Sequence, residues 1–445
     1  MMKFKKLVAF LIVFLGFLMP SFAQYEINTE VGSDRIAHLT AYIPNATTVE
    51  LVGLGGSYGL YNLRVAFKDD GKGFWTASTP ALESGFHYYG LYVNGIQTVN
   101  PNEKVLYYGG NMWNNGIEVP GDYDFYDLKD VPHGVVCSQY YKYLKQVRHC
   151  MVYLPPGYHV NTSESYPVLY LQHGNGEGEY SWFMQGKANL ILDNLLAEKK
   201  IDPMIVVCEN GMNTDYTSLL VNGLMPFIEQ KFRVKTQKEF RAVAGLSMGG
   251  NQTVTAAVNQ IDYFNYMASF SSDVTTSFNS SLNNSVELFW LGWGRDDEWV
   301  SDINAFEMQL NNRKVNHVTT IYDGAHQWIV WRKCLYDYCQ LIFKPYTYEN
   351  PFVTSVEHGR VQDSHFDVFP TRFTGSLFLK TNLNELQKNG LFVLSDISGK
   401  TIHQYRGAIT NAESKINDCL VNCLPGVYFL KGQCSDYSKV VKLIK

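Results

Sequence analysis

Three side chains, distant along this chain, have the types and the order that nucleophilic attack on a carbonyl requires. Gly245-Leu246-Ser247-Met248-Gly249 lies between a strand-like run, Phe240 to Ala244, and a helix-like run, Asn251 to Val258. Glycines fit a turn too tight for bulky neighbours, and such a turn lifts the serine Oγ above a sheet edge. A serine hydroxyl is a weak nucleophile near neutral pH. It needs a base, and the base needs an acceptor that fixes its tautomer. After Ser247 the histidines are His317, His326, His358, His365 and His403. His317 begins a strand and the last three lie beyond the sheet. His326 falls in a turn after the last strand, at the end of the strands where Ser247 also lies, and is the expected base. The imidazole must be neutral to take the serine proton, so activity is expected to rise with pH through a histidine pKa.

The acid comes from "LFWLGWGRDDEW", an apolar strand running into a turn. Adjacent carboxylates cannot all face one imidazole. Asp297, three residues past Gly294, is preferred, with Asp296 as the alternative. Asp302 reads as a helix N-terminal residue and Asp323 as a turn former. Two backbone N–H groups must meet the developing negative charge. One is that of Met248. The other belongs to the loop His173-Gly174-Asn175-Gly176, with Asn175 first and Gly176 next. Trp182, Trp328 and Trp331 flank these loops. Trp182 and Trp328 are taken as substrate-binding, although Trp328 and Trp331 also read as the start of a packed helix.

Positioning these groups requires a mostly parallel sheet. From 131 to 345, strand-length apolar runs alternate with helical patterns. The strands expected are Pro167–Leu171, Met204–Cys208, Arg241–Ala244, Tyr266–Phe270, Leu288–Trp293 and Val318–Tyr322. The helices expected are Ala188–Lys199, Leu219–Phe232, Gly250–Asn259, Ile303–Asn312 and Gln327–Phe343. Residues 24–130 carry short aromatic-polar runs with Gly and Asn turns and read as a small antiparallel sandwich. Trp75, Tyr88, Tyr89 and Trp113 are there either as a sugar-stacking platform or as sandwich core. Residues 346–361 read as a linker, and 362–445 again as short strands and turns.

The 445-residue chain is 46% hydrophobic and 18% charged, a globular composition of about two to four domains. Its net charge of −5, without a basic block in the mature region, speaks against nucleic acid as a partner. Lys3, Lys5 and Lys6, the apolar run Leu7 to Met19 and Ser21-Phe22-Ala23 read as a signal peptide, residues 1–23, cleaved before Gln24. Losing three lysines takes the charge from −5 to −8. No later segment is long and apolar enough to span a bilayer. Export permits disulfides among the eight cysteines. Cys137 with Cys150, and a pair from Cys419, Cys423 and Cys434, are the candidates. Cys208 reads as a buried free thiol. Neither a metal nor a cofactor is expected, since no Cys/His cluster has ligand spacing.

"RHCMVYLPPGY", "YPVLYLQHGNGEGEYSW", "LILDNLLAE", "PMIVV", "FRAVAGLSMGG", "GWGRDD" and "GAHQWIVWRKCLYDYCQLIFK" together resemble the esterase D-like α/β-hydrolases. Within them they resemble carbohydrate esterase family one, which holds feruloyl and acetylxylan esterases. The resemblance spans roughly 210 residues and implies Ser247, Asp297 and His326 as the triad. Asn175 is more polar than is common at its site, and Asp296 beside Asp297 departs from the single-acid pattern. The "VELVG", "GFWTAS" and "GFHYYGLYVNG" runs resemble the early-set domain related to glycogen-binding modules. Val393–Lys400, Gly426–Leu430 and Lys439–Lys445 resemble the sorting domain of the type IX secretion system of Bacteroidetes. There the usual Tyr-Pro-Asn-Pro opening is replaced by Phe369-Pro370-Thr371-Arg372, and a small sugar-binding or spacer domain is the alternative.

The expected architecture is thus an α/β-hydrolase flanked by two all-β domains. The expected activity is that of an exported serine esterase removing feruloyl groups from plant cell-wall polysaccharide, with the type IX machinery as a second partner. An acetylxylan esterase, a siderophore esterase and a non-catalytic carbohydrate-binding protein are the alternatives. Aromatic walls would suit a hydroxycinnamoyl ring.

Overall fold

The computed structural model describes residues 26–445 apart from 54–62, 101–105, 122, 213, 349–354, 359–365, 370–377, 382–388, 397–399 and 435–436. The expected leader, residues 1–23, lies outside the described residues. The chain divides into two compact units, 1–357 and 358–445.

In the first unit, the sheet that carries the site runs in the order Val135–Tyr143, Gln146–Leu154, Ile205–Glu209, Val168–Gln172, Arg241–Leu246, Tyr266–Phe270, Leu288–Gly294, Val318–Tyr322. From Ile205–Glu209 through Val318–Tyr322 all pairings are parallel. These strands are buried on both faces, so their sequences are continuous apolar runs rather than alternating ones. The helix Met248–Asn259 packs on Arg241–Leu246 and Tyr266–Phe270, and Ala188–Ala197 packs on Trp328–Cys339. The segment expected as the helix Leu219–Phe232 is Tyr216–Leu219, a π-helical turn Leu220–Leu224, and Met225–Lys231.

Two antiparallel sheets precede this one. The first contains Glu26–Val31, Ala37–Tyr42, Phe74–Ser78 and Lys68–Asp69. The second is built around Val49–Val52, Gly85–Val93 and Met112–Val119. Strand Gly85–Val93 explains why they join the parallel sheet in one unit. Its side chains alternate, yet both faces are covered. Tyr89 and Leu91 lie in the core between the two antiparallel sheets. Phe86 and Tyr88 lie in the core beside the parallel sheet, with Trp182, Trp328 and Ile329. Each such buried side chain contributes about 1.5–3 kcal/mol. Arg332, fully buried, clamps the contact with a bidentate pair to Glu118 at 2.7 and 3.0 Å. The stretch expected as a linker begins as packed chain: Tyr346 N–H donates to Glu287, and the Tyr348 hydroxyl accepts from Phe289 N–H.

The second unit contains a four-stranded antiparallel sheet in the order Thr401–Ala408, Asn389–Asp396, Val427–Cys434, Tyr437–Ile444. It is not all-β. The helix Ile409–Val421 buries Ala412, Ile416 and Leu420 against Phe392, Leu394 and Leu430. Positions 412, 416 and 420 recur every four residues, the helical spacing.

Cys137 and Cys150 are both free thiols. Their strands are in register so that Cys137 faces Val152 and Cys150 faces Gln139. The two cysteines are therefore diagonal neighbours, a separation of roughly 7–8 Å that exceeds disulfide reach. Cys419 and Cys423 are also free, with the Cys423 thiol directed at the Cys419 carbonyl.

Candidate active site

Ser247 stands where strand Arg241–Leu246 gives way to helix Met248–Asn259. Its backbone has φ 50° and ψ −125°. That left-handed value costs a non-glycine residue about 1–3 kcal/mol and marks a turn held by its surroundings. The hold is visible: Ser247 N–H donates to Phe270 O at 2.8 Å, and Gly250 N–H donates to Ser247 O at 2.9 Å. A methyl group on Gly249 would come 2.4 Å from His173 O, so only glycine lets the new helix meet the end of strand Val168–Gln172. Met248 opens the helix, where backbone N–H groups lack intrahelical acceptors.

The expected acid and base follow the two strands beyond. Strand Leu288–Gly294 ends in the turn of Asp297. Strand Val318–Tyr322 ends in the turn of His326. A methyl group on Gly294 would lie 2.3 Å from Gly324 O, so the two turns touch. His326 Nδ1 lies 3.1 Å from each carboxylate oxygen of Asp297, and both side chains are fully buried. With Nδ1–H donated to the carboxylate, Nε2 is the basic nitrogen. Asp297 Oδ1 also accepts Trp299 N–H at 3.0 Å. Asp296 is exposed, and its N–H donates to Gly324 O. Asp297 is thus the carboxylate placed against His326 Nδ1. The Trp331 ring packs edge-on against the imidazole at 5.0 Å.

The loop after strand Val168–Gln172 is braced from within. His173 Nδ1–H donates to Gly174 O at 2.8 Å, and its Nε2 accepts Gly211 N–H. Gly174 N–H donates to Glu177 Oε2 at 3.0 Å. That N–H is thereby committed, and Asn175, the next residue, is exposed on the loop.

Burial lowers His173 to about 4 and raises Glu177 to about 7. The folded state therefore holds a proton on Glu177 that the unfolded chain releases near its ordinary 4.5. Glu177 contributes fully below about 4.5 and loses that contribution as pH rises through about 7, a difference of roughly 3 kcal/mol. His173 works oppositely, contributing stability that grows between about 4 and 6.5. Glu177→Gln removes only the first effect. Urea denaturation at pH 5 and pH 8 is expected to show the variant gaining on the parent by 2–3 kcal/mol between the two (about, by the same linkage). An unchanged difference contradicts the assignment.

The aromatic assignments need correction. Trp182 is wholly buried, its Nε1–H donates to Gln172 O, and it packs edge-on against Trp328 and Phe270. Trp328 and Trp331 are also core. These rings are buried core, Trp328 and Trp331 in the first turn of helix Trp328–Cys339, so none is exposed to line a cleft. The tryptophan at the cleft is Trp299, 50% exposed, two residues past Asp297. It lines a hollow of about 290 Å³ with Ser247, Met248, Asn251, Gln252, Ser271, Ser272 and Asp273. A larger hollow of about 520 Å³ lies at the amino ends of the strands, by Tyr166, Pro203 and Phe240, away from the triad residues. Of the four aromatic residues weighed in the N-terminal region, Trp75, Tyr88 and Tyr89 are core and Trp113 is 47% exposed. Among the described residues no group of His, Cys, Asp and Glu has metal-binding arrangement, and no helix is long and apolar enough to cross a membrane.

Residues 142–308 match the family model described as "Putative esterase". The chain is 34% identical over 337 residues to an endo-1,4-beta-xylanase/feruloyl esterase of Xylanibacter ruminicola, covering 71% of this chain and 46% of that protein. It is 30% identical over 156 residues to endo-1,4-beta-xylanase Y of Acetivibrio thermocellus, covering 32% and 14%. The chain thus spans less than half the length of either relative. The crystal structure of the enterobactin esterase FES from Shigella flexneri is similar with a TM-score of 0.52 at 15% identity, covering 72% of this chain and 96% of its own. At that identity the likeness is one of fold.

Proposed function

We propose that the protein is a serine carboxylic-ester hydrolase that removes feruloyl groups from plant cell-wall polysaccharide. The observation that carries the hydrolase reading is the buried Asp297–His326 pair, set at the same strand ends as the strained Ser247. Ser247 Oγ attacks the acyl carbon while His326 Nε2 takes its proton. The N–H groups of Met248 and Asn175 receive the oxyanion. The C–O bond of the ester breaks as His326 returns the proton to the departing alcohol oxygen. Water, deprotonated by the same imidazole, then frees the acid. The feruloyl reading is supported by the likeness to the Xylanibacter endo-1,4-beta-xylanase/feruloyl esterase and by Trp299, whose exposed ring at the cleft would stack on a planar acyl group.

The test is ferulate release from methyl ferulate and arabinoxylan, run beside acetate release from acetylated xylan and hydrolysis of a catecholate triester. Ferulate is expected to be the preferred product. A higher kcat/KM on acetylated xylan or on the triester would move the protein to the corresponding esterase class. Trp299→Ala is expected to raise KM for methyl ferulate about tenfold and to change p-nitrophenyl acetate about twofold at most. Equal effects on both esters would remove the ring from the acyl site. Export through the leader and the C-terminal sheet belongs to the same proposal, and finding Gln24 as the first residue of protein recovered from the medium would support it.

A further inference from the structure

The oxyanion loop is gripped from outside the hydrolase sheet. Strands Tyr107–Gly109 and Met112–Val119 form a hairpin whose two turn residues, Gly110 and Asn111, have φ 60° and 62°. That two-residue turn is tight, and its tip presses on the loop after His173. Asn111 N–H donates to Gly176 O at 2.8 Å. A methyl group on Gly176, itself at φ +77°, would come 3.2 Å from Gly110 Cα and 3.3 Å from Asn111 N.

The second grip is Tyr88, from strand Gly85–Val93. Its buried hydroxyl lies 3.3 Å from Glu177 Oε1 and accepts from Trp328 Nε1 at 3.4 Å and from Gln185 Nε2. Glu177 in turn holds Gly174 N–H, and a methyl group on Gly174 would lie 3.5 Å from Ser247 Cβ. One hydroxyl from the N-terminal sheets therefore touches both the loop that lies over the nucleophile and a tryptophan two residues past His326.

We propose that the N-terminal antiparallel sheets are a working part of the hydrolytic centre, with Tyr88 and the Gly110-Asn111 tip as positioning elements that fix the oxyanion loop. This inference rests on the proposed Ser247 centre. Such a role acts on the transition state more than on substrate binding, because the loop must meet the oxyanion and not the ground-state carbonyl. Burial of Glu177 adds to it, since a buried carboxyl that loses its hydroxyl partner has reason to move.

Tyr88→Phe deletes one oxygen and keeps the ring in the core. It is expected to lower kcat on p-nitrophenyl acetate and methyl ferulate about tenfold, with KM within about twofold, a fraction of the 10²–10³ lost when an oxyanion donor is removed outright. The affinity for a boronic acid that forms a tetrahedral adduct with the serine should fall by the same factor, while ferulate binding stays constant. Gly176→Ala, which separates tip and loop, should repeat this signature if Tyr88→Phe folds poorly. Lys187→Met removes the 3.1 Å ion pair to Glu118, a docking contact away from the loop, and should leave kcat within about twofold. The proposal is overturned if Tyr88→Phe and Gly176→Ala keep full kcat. It is also overturned if product and boronate affinities fall together, or if Lys187→Met loses as much as Tyr88→Phe. Ser247→Ala separates the two readings: turnover surviving there ends the Ser247 centre itself, whatever Tyr88→Phe does.

Discussion

Ser247→Ala is expected to lower kcat on p-nitrophenyl acetate and methyl ferulate by about 10⁴–10⁶ while the protein stays folded. The lost group is the one that forms the covalent bond, so no neighbour can substitute. A residual rate above that of water is expected, because Met248 N–H and the loop after His173 would still polarise the carbonyl for direct attack by water. Stability should hardly change. Ser247 holds φ 50° on an L residue, and alanine keeps that strain, so the variant should unfold within about 0.5 kcal/mol of the parent. Steady-state kinetics and urea denaturation on the same preparation check both. Full turnover with the hydroxyl removed would place the chemistry elsewhere.

The serine and its turn were legible in the sequence because their constraint is local. Glycines at 245 and 249 answer to backbone atoms a few ångströms away, and the runs on either side declare strand and helix by their own patterns. The six expected parallel strands lie within about two residues of those observed, since buried parallel strands are written as unbroken apolar runs. His326 was legible by order along the chain. Trp182 and Trp328 were misread because an aromatic residue beside a catalytic loop looks the same whether it faces the cleft or the core. Only the packing of helix Trp328–Cys339 on the hydrolase core, and of Tyr88 beside it, decides the matter. Trp299 was missed although it stands two residues past Asp297. Its run of charged neighbours suggested a solvated turn, and nothing local states that the turn closes over Ser247. Glu177 carried a usable signal, an acid inside a glycine loop between two apolar runs, but its partner Tyr88 is 89 residues away. The helix Ile409–Val421 was overlooked because its polar residues outnumber the buried stripe of Ala412, Ile416 and Leu420.

The choice between the neighbouring acids gives the second large effect. Asp297→Asn is expected to lower kcat about 10³–10⁴-fold, whereas Asp296→Asn should stay within about twofold. The two substitutions are chemically identical and one residue apart, so composition and net charge are matched. What differs is the environment. Asp297 is buried with both oxygens 3.1 Å from His326 Nδ1, and Oδ1 also takes Trp299 N–H. An asparagine there presents its NH₂ to Nδ1 or turns its oxygen there and gives its NH₂ to Trp299 N–H, a clash of donors. The first arrangement puts the imidazole proton on Nε2, the nitrogen that must accept from the serine. Asp296 is exposed, and exchanging carboxylate for amide at an exposed position costs little. Turnover of p-nitrophenyl acetate by the pair of variants reads the difference directly. Comparable losses in both would mean that the two carboxylates share the imidazole. A loss confined to Asp296→Asn would reverse the assignment, and with it the claim that burial, more than position along the turn, singles out the acid.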